Sequence, residues 1–185
     1  MNYVVMMSTN IMAKANRVYK TKVPVTKNQQ VEAEVVDITY QGMGVIKIDN
    51  FPIFVIDAIP GEVVQVGITK VLKSYAFGRV IKRVKASPNR AENVDKVAIT
   101  TGIAPLANLK YEAQLTFKQR QVEQLFKKVN VSVEVNPTIG MTDPTKYRNK
   151  AQVPVQMVNG QLETGFYRRG SHKLMPVEEI GRASC

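Results

Sequence analysis

The sequence predicts a mainly β chain in two parts, a small antiparallel barrel followed by a mixed α+β region. Three observations predict it. From Val31 to Val84, short runs alternating apolar and polar residues are separated by Gly, Pro and Asn turns. Composition then changes at Ala86-Ser87-Pro88-Asn89-Arg90, a linker signal, and one long helical period follows. Beyond the helix, two more alternating runs flank Asn159-Gly160, a hairpin-turn pair. A length of 185 residues suits one ordinary domain or two small ones, and a hydrophobic fraction of 44% is enough to build a core.

Taken in order, residues 1–24 read as a flexible basic arm. The arm lacks the charged-then-apolar order of a secretory signal, and Met1, Met6, Met7 and Met12 leave the true start open. Residues 25–87 form the barrel. Val31 to Ile38 alternates as a half-buried strand does, and Gly42 and Gly44 break the pattern. Val45-Ile46-Lys47-Ile48 resumes it, and Asp49-Asn50 is a tight-turn signal. Phe51 to Ile56 is the next strand, with Pro52 near its start. Pro60-Gly61 marks another turn. Val63 to Val71 and Tyr75 to Val84 complete the five strands, joined around Lys73-Ser74. Five short strands with such turns point to an OB-like barrel, because closure removes unpaired edges. An SH3-like barrel of similar size is the alternative.

In residues 88–180, Tyr111 to Val129 reads as one helix. Leu115, Val122, Leu125, Phe126 and Val129 share a face, and no internal Gly or Pro interrupts it. Asn130 ends it. Val131 to Val135 reads as a strand, and Pro137 to Pro144 is turn-rich. Ala151 to Val158 and Thr164 to Arg168 read as strands.

The formal net charge of +11 favours a polyanionic partner. A membrane is not that partner by this reading, since no stretch approaches the roughly 20 apolar residues a span needs. The one cysteine, Cys185, excludes a disulfide or a cysteine metal cage within the chain, which suits the cytoplasm. The sole histidine, His172, reads as a surface or RNA-contacting group. There is no Gly-rich strand-to-helix loop for a nucleotide, and no Ser-His-Asp or Cys-His arrangement. No metal site and no catalytic residue is expected.

Three stretches carry RNA-binding chemistry. Lys70, Lys73, Arg79, Lys82, Arg83 and Lys85 crowd the last two barrel strands, with Tyr75 and Phe77 among them. Cations neutralise phosphates while aromatic faces stack on unpaired bases. On a strand, Tyr75, Phe77 and Arg79 share one face, and Gly78 leaves room for a bulge or a close approach of RNA. A blander reading puts the aromatics in the core and leaves the cations as a solvated face. The second stretch groups Tyr147, Arg148, Asn149, Lys150 and Gln152, which supply stacking, ionic and amide contacts. On pattern alone an exposed polar strand start is the favoured reading. The third stretch runs from Gly165 to Lys173, with Arg168, Arg169 and His172 as candidate contacts.

These residues carry a resemblance. Val45 through Arg90 resembles a TRAM domain, the OB-like RNA-binding module of several RNA-modifying enzymes. Phe51-Pro52-Ile53-Phe54-Val55, Ile68-Thr69-Lys70 and Lys73-Ser74-Tyr75-Ala76-Phe77-Gly78-Arg79 carry most of that likeness. Leu109-Lys110-Tyr111-Glu112-Ala113-Gln114-Leu115 with Phe117-Lys118-Gln119 is similar to the helix opening the central domain of 23S ribosomal RNA uracil-5-methyltransferases. Thr138-Ile139-Gly140-Met141, Tyr147 through Gln152 and Gly165-Phe166-Tyr167-Arg168 resemble the same central region. Together they cover most of residues 25–180 in the family's order.

The resemblance implies residues 88–180 to be a partial central RNA-binding domain, with 181–185 a tail outside the family pattern. It implies a parent enzyme that uses S-adenosylmethionine. In that chemistry a cysteine attacks C6 of uracil, C5 takes the methyl group, and a base removes the C5 proton. The residues for those steps belong to a further domain, and none maps onto this chain. Many family members hold an iron–sulfur cluster with four cysteines just before the helix. Here Thr101-Gly102-Ile103-Ala104 offers no ligand, so no cluster is expected, and apolar packing of Ile103 and Leu106 takes over its role. The expectation is therefore a monomeric, cytoplasmic, RNA-gripping portion of such an enzyme, with 23S ribosomal RNA as partner. A standalone RNA-binding or RNA-chaperone module is the alternative, and a ribosome-associated structural protein a third.

Overall fold

The computed structural model describes residues 23–92, 94–145, 147 and 150–177. The tail 181–185, and all of the N-terminal arm but its last two residues, lie outside them. The fold is mainly β. A curled six-stranded sheet comes first, then two helices and a three-stranded sheet.

The six strands are β1 (Gln30–Glu34), β2 (Asp37–Ile38), β3 (Met43–Ile48), β4 (Phe51–Ile56), β5 (Val63–Val71) and β6 (Ala76–Lys85). Their order is β1-β5-β6-β4-β3-β2. The two end strands, β1 and β2, are halves of one stretch of chain, where the sequence predicts a single strand. At the break, Val35 donates to Glu62 O toward β5, while Val36 donates to Val45 O toward β3. This kink lets one strand serve both ends of the sheet and curls it round its core. Merging the two halves recovers the five strands expected. The β3–β4 turn is Asp49-Asn50, both at positive φ, as a type I′ hairpin requires.

Alternate residues face inward. Ile46, Ile53, Val55, Val64, Val66, Ile68 and Ala76 are buried together. Each Val or Ile so placed contributes about 1.5–3 kcal/mol. Gly78 faces the same interior, and a Cβ there would fall on Val66 Cγ1. Its small size therefore serves packing of the barrel, which corrects the reading of it as a place for RNA to approach.

The connection to the second part is tied down at several points. Arg90 bridges Leu109, Ala91 donates to Asn108 O and Lys110 donates to Asn89 O. A short helix, α1 (Lys96–Thr101), was not evident in the sequence. Asp95 caps it by accepting from the Val97 N–H, and Gly102 ends it at φ 76°. Helix α2 (Tyr111–Lys128) closely matches its predicted span. Its first half packs Ala113 and Phe117 with Leu106 and Leu109 against Ile38 and Ile59 of the barrel. Of the two residues expected to pack here, Leu106 joins this cluster and Ile103 does not. The second half does not bury the predicted stripe, since Leu125 is 61% and Val129 65% exposed.

Residues 131–135 form no strand, contrary to expectation. The chain instead runs back along α2. Gln119 Nε2 donates to Val135 O, Thr138 Oγ1 donates to Leu115 O, and Tyr111 Oη accepts from Met141 N–H. Side chains of α2 thus engage polar groups of this segment that a ladder would otherwise pair. The small antiparallel sheet is β7 (Val155–Val158), β8 (Gln161–Tyr167) and β9 (Leu174–Pro176). Strand β7 starts later than predicted, and β9 was not foreseen. Asn159 and Gly160, both at positive φ, make the predicted β7–β8 turn.

Candidate nucleic-acid interface

The outer face of the barrel carries an aromatic cluster. The parallel register of β4 and β6 sets Phe54 beside Phe77. Tyr75 stands just before β6 and completes a triangle. Ring centroids are 5.6 Å apart for Phe54–Tyr75 and Tyr75–Phe77, and 5.9 Å for Phe54–Phe77. Edge-on contacts at these distances hold the rings in place, about 0.5–1.5 kcal/mol per pair beyond their burial. All three rings remain half exposed. Lys70 pairs with Phe77 across the β5–β6 ladder, so Val45, Phe54, Phe77 and Lys70 form one row across four strands. Arg79, one outward position further, is exposed, and so are Lys73 in the β5–β6 turn and Lys82.

Arg83 has a different setting. With Arg90 it closes on Asp57 and the fully buried Glu62. Arg90 Nε lies 2.6 Å from Glu62 Oε1, its Nη2 lies 2.9 Å from Oε2, and its Nη1 lies 3.0 Å from Asp57 Oδ1. Arg83 Nε lies 2.8 Å from Glu62 Oε1, but is too poorly aligned there to count as a hydrogen bond. Burial alone would raise the Glu62 pKa. The Arg90 hydrogen bonds, the Ile59 N–H and the two guanidinium charges outweigh it and hold the carboxyl below its ordinary range. These four residues tie the end of β6 and the connecting segment to the β4–β5 loop.

Arg168, Arg169 and His172 lie in the β8–β9 connection. His172 packs edge-on to Tyr167, centroids 6.4 Å apart, and Arg168 is exposed. Arg169 is half buried. Its Nη2 donates to Gln41 O in the β2–β3 turn, and its guanidinium lies against Gly102 at the end of α1. Burial lowers its pKa, with no carboxylate acting to raise it. Between the barrel and the second part runs a groove of about 630 Å³. Arg79 lines its barrel wall, Lys96 of α1 stands opposite, and Arg168 and Arg169 complete it.

The structure therefore brings the first and third predicted stretches to one groove through Arg79. It does not bring Tyr147, Lys150 and Gln152 to its walls. Those three are exposed, and Arg148 and Asn149 lie outside the described residues. Sequence reasoning missed Phe54 and Lys96 as site residues. Phe54 lies in a stretch that carries the TRAM likeness, but only the parallel β4–β6 pairing, which joins strands distant in sequence, sets it beside Phe77. Lys96 depends on an unforeseen helix.

The two described helices offer S-adenosylmethionine no glycine-rich turn at their starts. Helices α1 and α2 follow the glycine-free stretches 86–95 and 103–110, so neither begins at the glycine-rich turn that admits a nucleotide. No three of the described His, Cys, Asp and Glu residues group as metal ligands. No described helix is long and apolar enough to cross a membrane.

Comparison with known proteins bears on this surface. Residues 24–81 match the TRAM domain family. Over 161 residues the chain is 53% identical to an uncharacterized RNA methyltransferase of Lactiplantibacillus plantarum, spanning 86% of this chain and 35% of that protein. Proteins with the same description from Enterococcus faecalis and Streptococcus agalactiae are 45% and 48% identical, spanning 85% and 83% of this chain and 35% and 34% of theirs. The chain thus spans about a third of the length of these curated relatives. Among solved structures, a tRNA (uracil-54, C5)-methyltransferase of Pyrococcus abyssi in complex with S-adenosyl-L-homocysteine is 20% identical. That match has a TM-score of 0.45 and spans 80% of this chain and 31% of that one.

Proposed function

We propose that this chain is the RNA-gripping portion of an S-adenosylmethionine-dependent RNA methyltransferase whose chemistry is performed by residues outside it. One observation carries the reading: a half-exposed, mutually braced aromatic triangle, Phe54, Tyr75 and Phe77, stands with Lys70 and Arg79 on the outer strand face of the barrel. The strand faces of OB barrels bind oligonucleotides, and stacking on such rings tolerates any base. The TRAM match over 24–81 and the names of the relatives support the same reading.

The finer assignment, methylation at uracil C5 of 23S ribosomal RNA, rests on the sequence resemblance of Leu109 to Leu115, Thr138 to Met141 and Gly165 to Arg168. Under it Tyr147, Arg148, Asn149, Lys150 and Gln152 add contacts from the second part. Crosslinking the chain to RNA in cells and sequencing the fragments should recover 23S ribosomal RNA. Enrichment of transfer RNA alone would overturn that substrate.

The direct test of the grip is the variant Phe77→Leu, which keeps apolar bulk and removes the stacking face. Affinity for single-stranded RNA should fall by about 1–3 kcal/mol, roughly fivefold to 150-fold. Unchanged affinity in a folded variant would refute the stacking role. Calorimetric titration with S-adenosylmethionine should give no heat of binding, and micromolar binding would refute the division of labour.

A further inference from the structure

We infer that the groove between the barrel and the second part is itself an RNA site, seating the strand just beyond the aromatic triangle and gripping its phosphates. The inference rests on the RNA-binding reading above and extends it to a second surface. Arg79, Lys96, Arg168 and Arg169 come from three separate elements, β6, α1 and the β8–β9 connection, and converge on one groove. Among the described residues none of the four is ion-paired. The groove's other charges, Asp57 and Arg90, are engaged with each other. Four cations thus face one groove with no free counter-charge among the described residues.

Arg169 makes the case sharper. Its half-buried guanidinium has one described hydrogen bond, to a neutral carbonyl, while a guanidinium carries five donors. Desolvated charge without a partner is unfavourable, and a phosphate arriving in the groove supplies one. The floor is apolar, with Ile56 and Ile99 exposed to the groove. Ribose or an unstacked base can lie on such a floor while the cations hold the phosphates on either side. A volume of about 630 Å³ falls within the range of pockets that bury a small organic ligand, so a short length of strand fits.

Continuity decides in favour of RNA over a free anion. Arg79 pairs with Ile56 one outward position from the Phe54–Phe77 pair, so it borders both the aromatic face and the groove. A strand stacked on Tyr75 and Phe77 has the groove directly on its path. The barrel and the second part then present one surface, held together by the Arg169–Gln41 contact.

The test compares the full chain, the double variant Lys96→Gln/Arg168→Gln, and Phe77→Leu. Each is titrated against a single-stranded RNA of about 12 nucleotides, within the range an OB barrel covers. Two lost phosphate contacts at about 0.7 each should reduce the log–log salt slope by about 1.4, with roughly 25-fold weaker binding near 0.1 M salt. Phe77→Leu should weaken binding and leave the slope unchanged. Photocrosslinking with 4-thiouridine RNA should label peptides containing 96–101 or 168–173. If Phe77→Leu weakens binding while the double variant matches the parent chain and labelling stays on the barrel, the groove is not an RNA site. If the parent chain does not bind RNA at all, the underlying reading fails instead. Equal binding of inorganic pyrophosphate and RNA, lost together in the double variant, would make the groove a free-anion site and overturn the inference.

Discussion

At the scale of single residues, the most consequential group is Glu62, a carboxylate with no exposed surface held by two guanidiniums. A buried pair is weak evidence of net stability, yet breaking one is costly because the survivor keeps its charge in a poor solvent. Replacing Arg90 by Met should therefore destabilise the fold by about 3–5 kcal/mol, and adding Glu62→Met should recover most of the loss. Urea denaturation of the three proteins measures both. The sign of the pH dependence follows from the depressed Glu62 pKa. Its contribution is present above the ordinary value of 4.5 and is lost as pH falls through the lower folded value. The gap between the parent chain and Arg90→Met should accordingly be larger at neutral pH than in acid. A gap independent of pH would place the cost elsewhere. Arg83 shows the limit of reading residues from sequence. In the string it is one more cation beside Lys82, and only the folded chain reveals its buried acidic partner, Glu62, 21 positions earlier.

At the scale of elements, the strands were legible wherever the period of two and the turn residues agreed, as at Asp49-Asn50 and Asn159-Gly160. The kink at Val35-Val36 was not, because its cause is the closing of a sheet by strands far away in sequence. Helix α1 was hidden for a related reason. Its six residues include Val97, Ile99, Thr100 and Thr101, poor helix formers that stand only with the Asp95 and Gly102 caps. The strand expected at 131–135 failed because the segment meets a flank of α2 instead of a ladder: Gln119 Nε2 donates to Val135 O, while Val131 and Val133 stay exposed. The candidate site divided in the same way. Tyr75, Phe77 and Lys70 were legible as a basic and aromatic stretch, whereas Phe54 joined them only through register. Among the contacts between the two parts, Gly42 in the β2–β3 turn, at φ 73°, lies against the carbonyl of Pro105. Gly42→Ala would put a methyl on that oxygen and strain the backbone as well. Hydrogen exchange should then show faster opening of residues 106–113 with the barrel strands still protected. Equal loss of protection in both would show that the two parts unfold as one.

At the scale of the whole molecule, order and charge are unevenly distributed. The barrel holds a continuous buried core, while the second half of α2 and the described residues of the 131–154 segment are largely exposed. Limited proteolysis should cut first in the latter and leave the barrel, since opening follows local burial. Recovery of an intact second part after loss of the barrel would contradict this distribution. The cations spread over β5, β6, α1 and the β8–β9 connection give charge attraction a large share in the affinity of the proposed RNA complex.

Salt dependence therefore tests most directly the central claim, that this chain grips RNA through a basic, aromatic surface. Fluorescence anisotropy should follow binding of a single-stranded RNA to the intact chain between roughly 50 and 200 mM salt. Six phosphate contacts predict a slope of log affinity against log salt of roughly −4 to −5. An affinity that does not change with salt would contradict the claim.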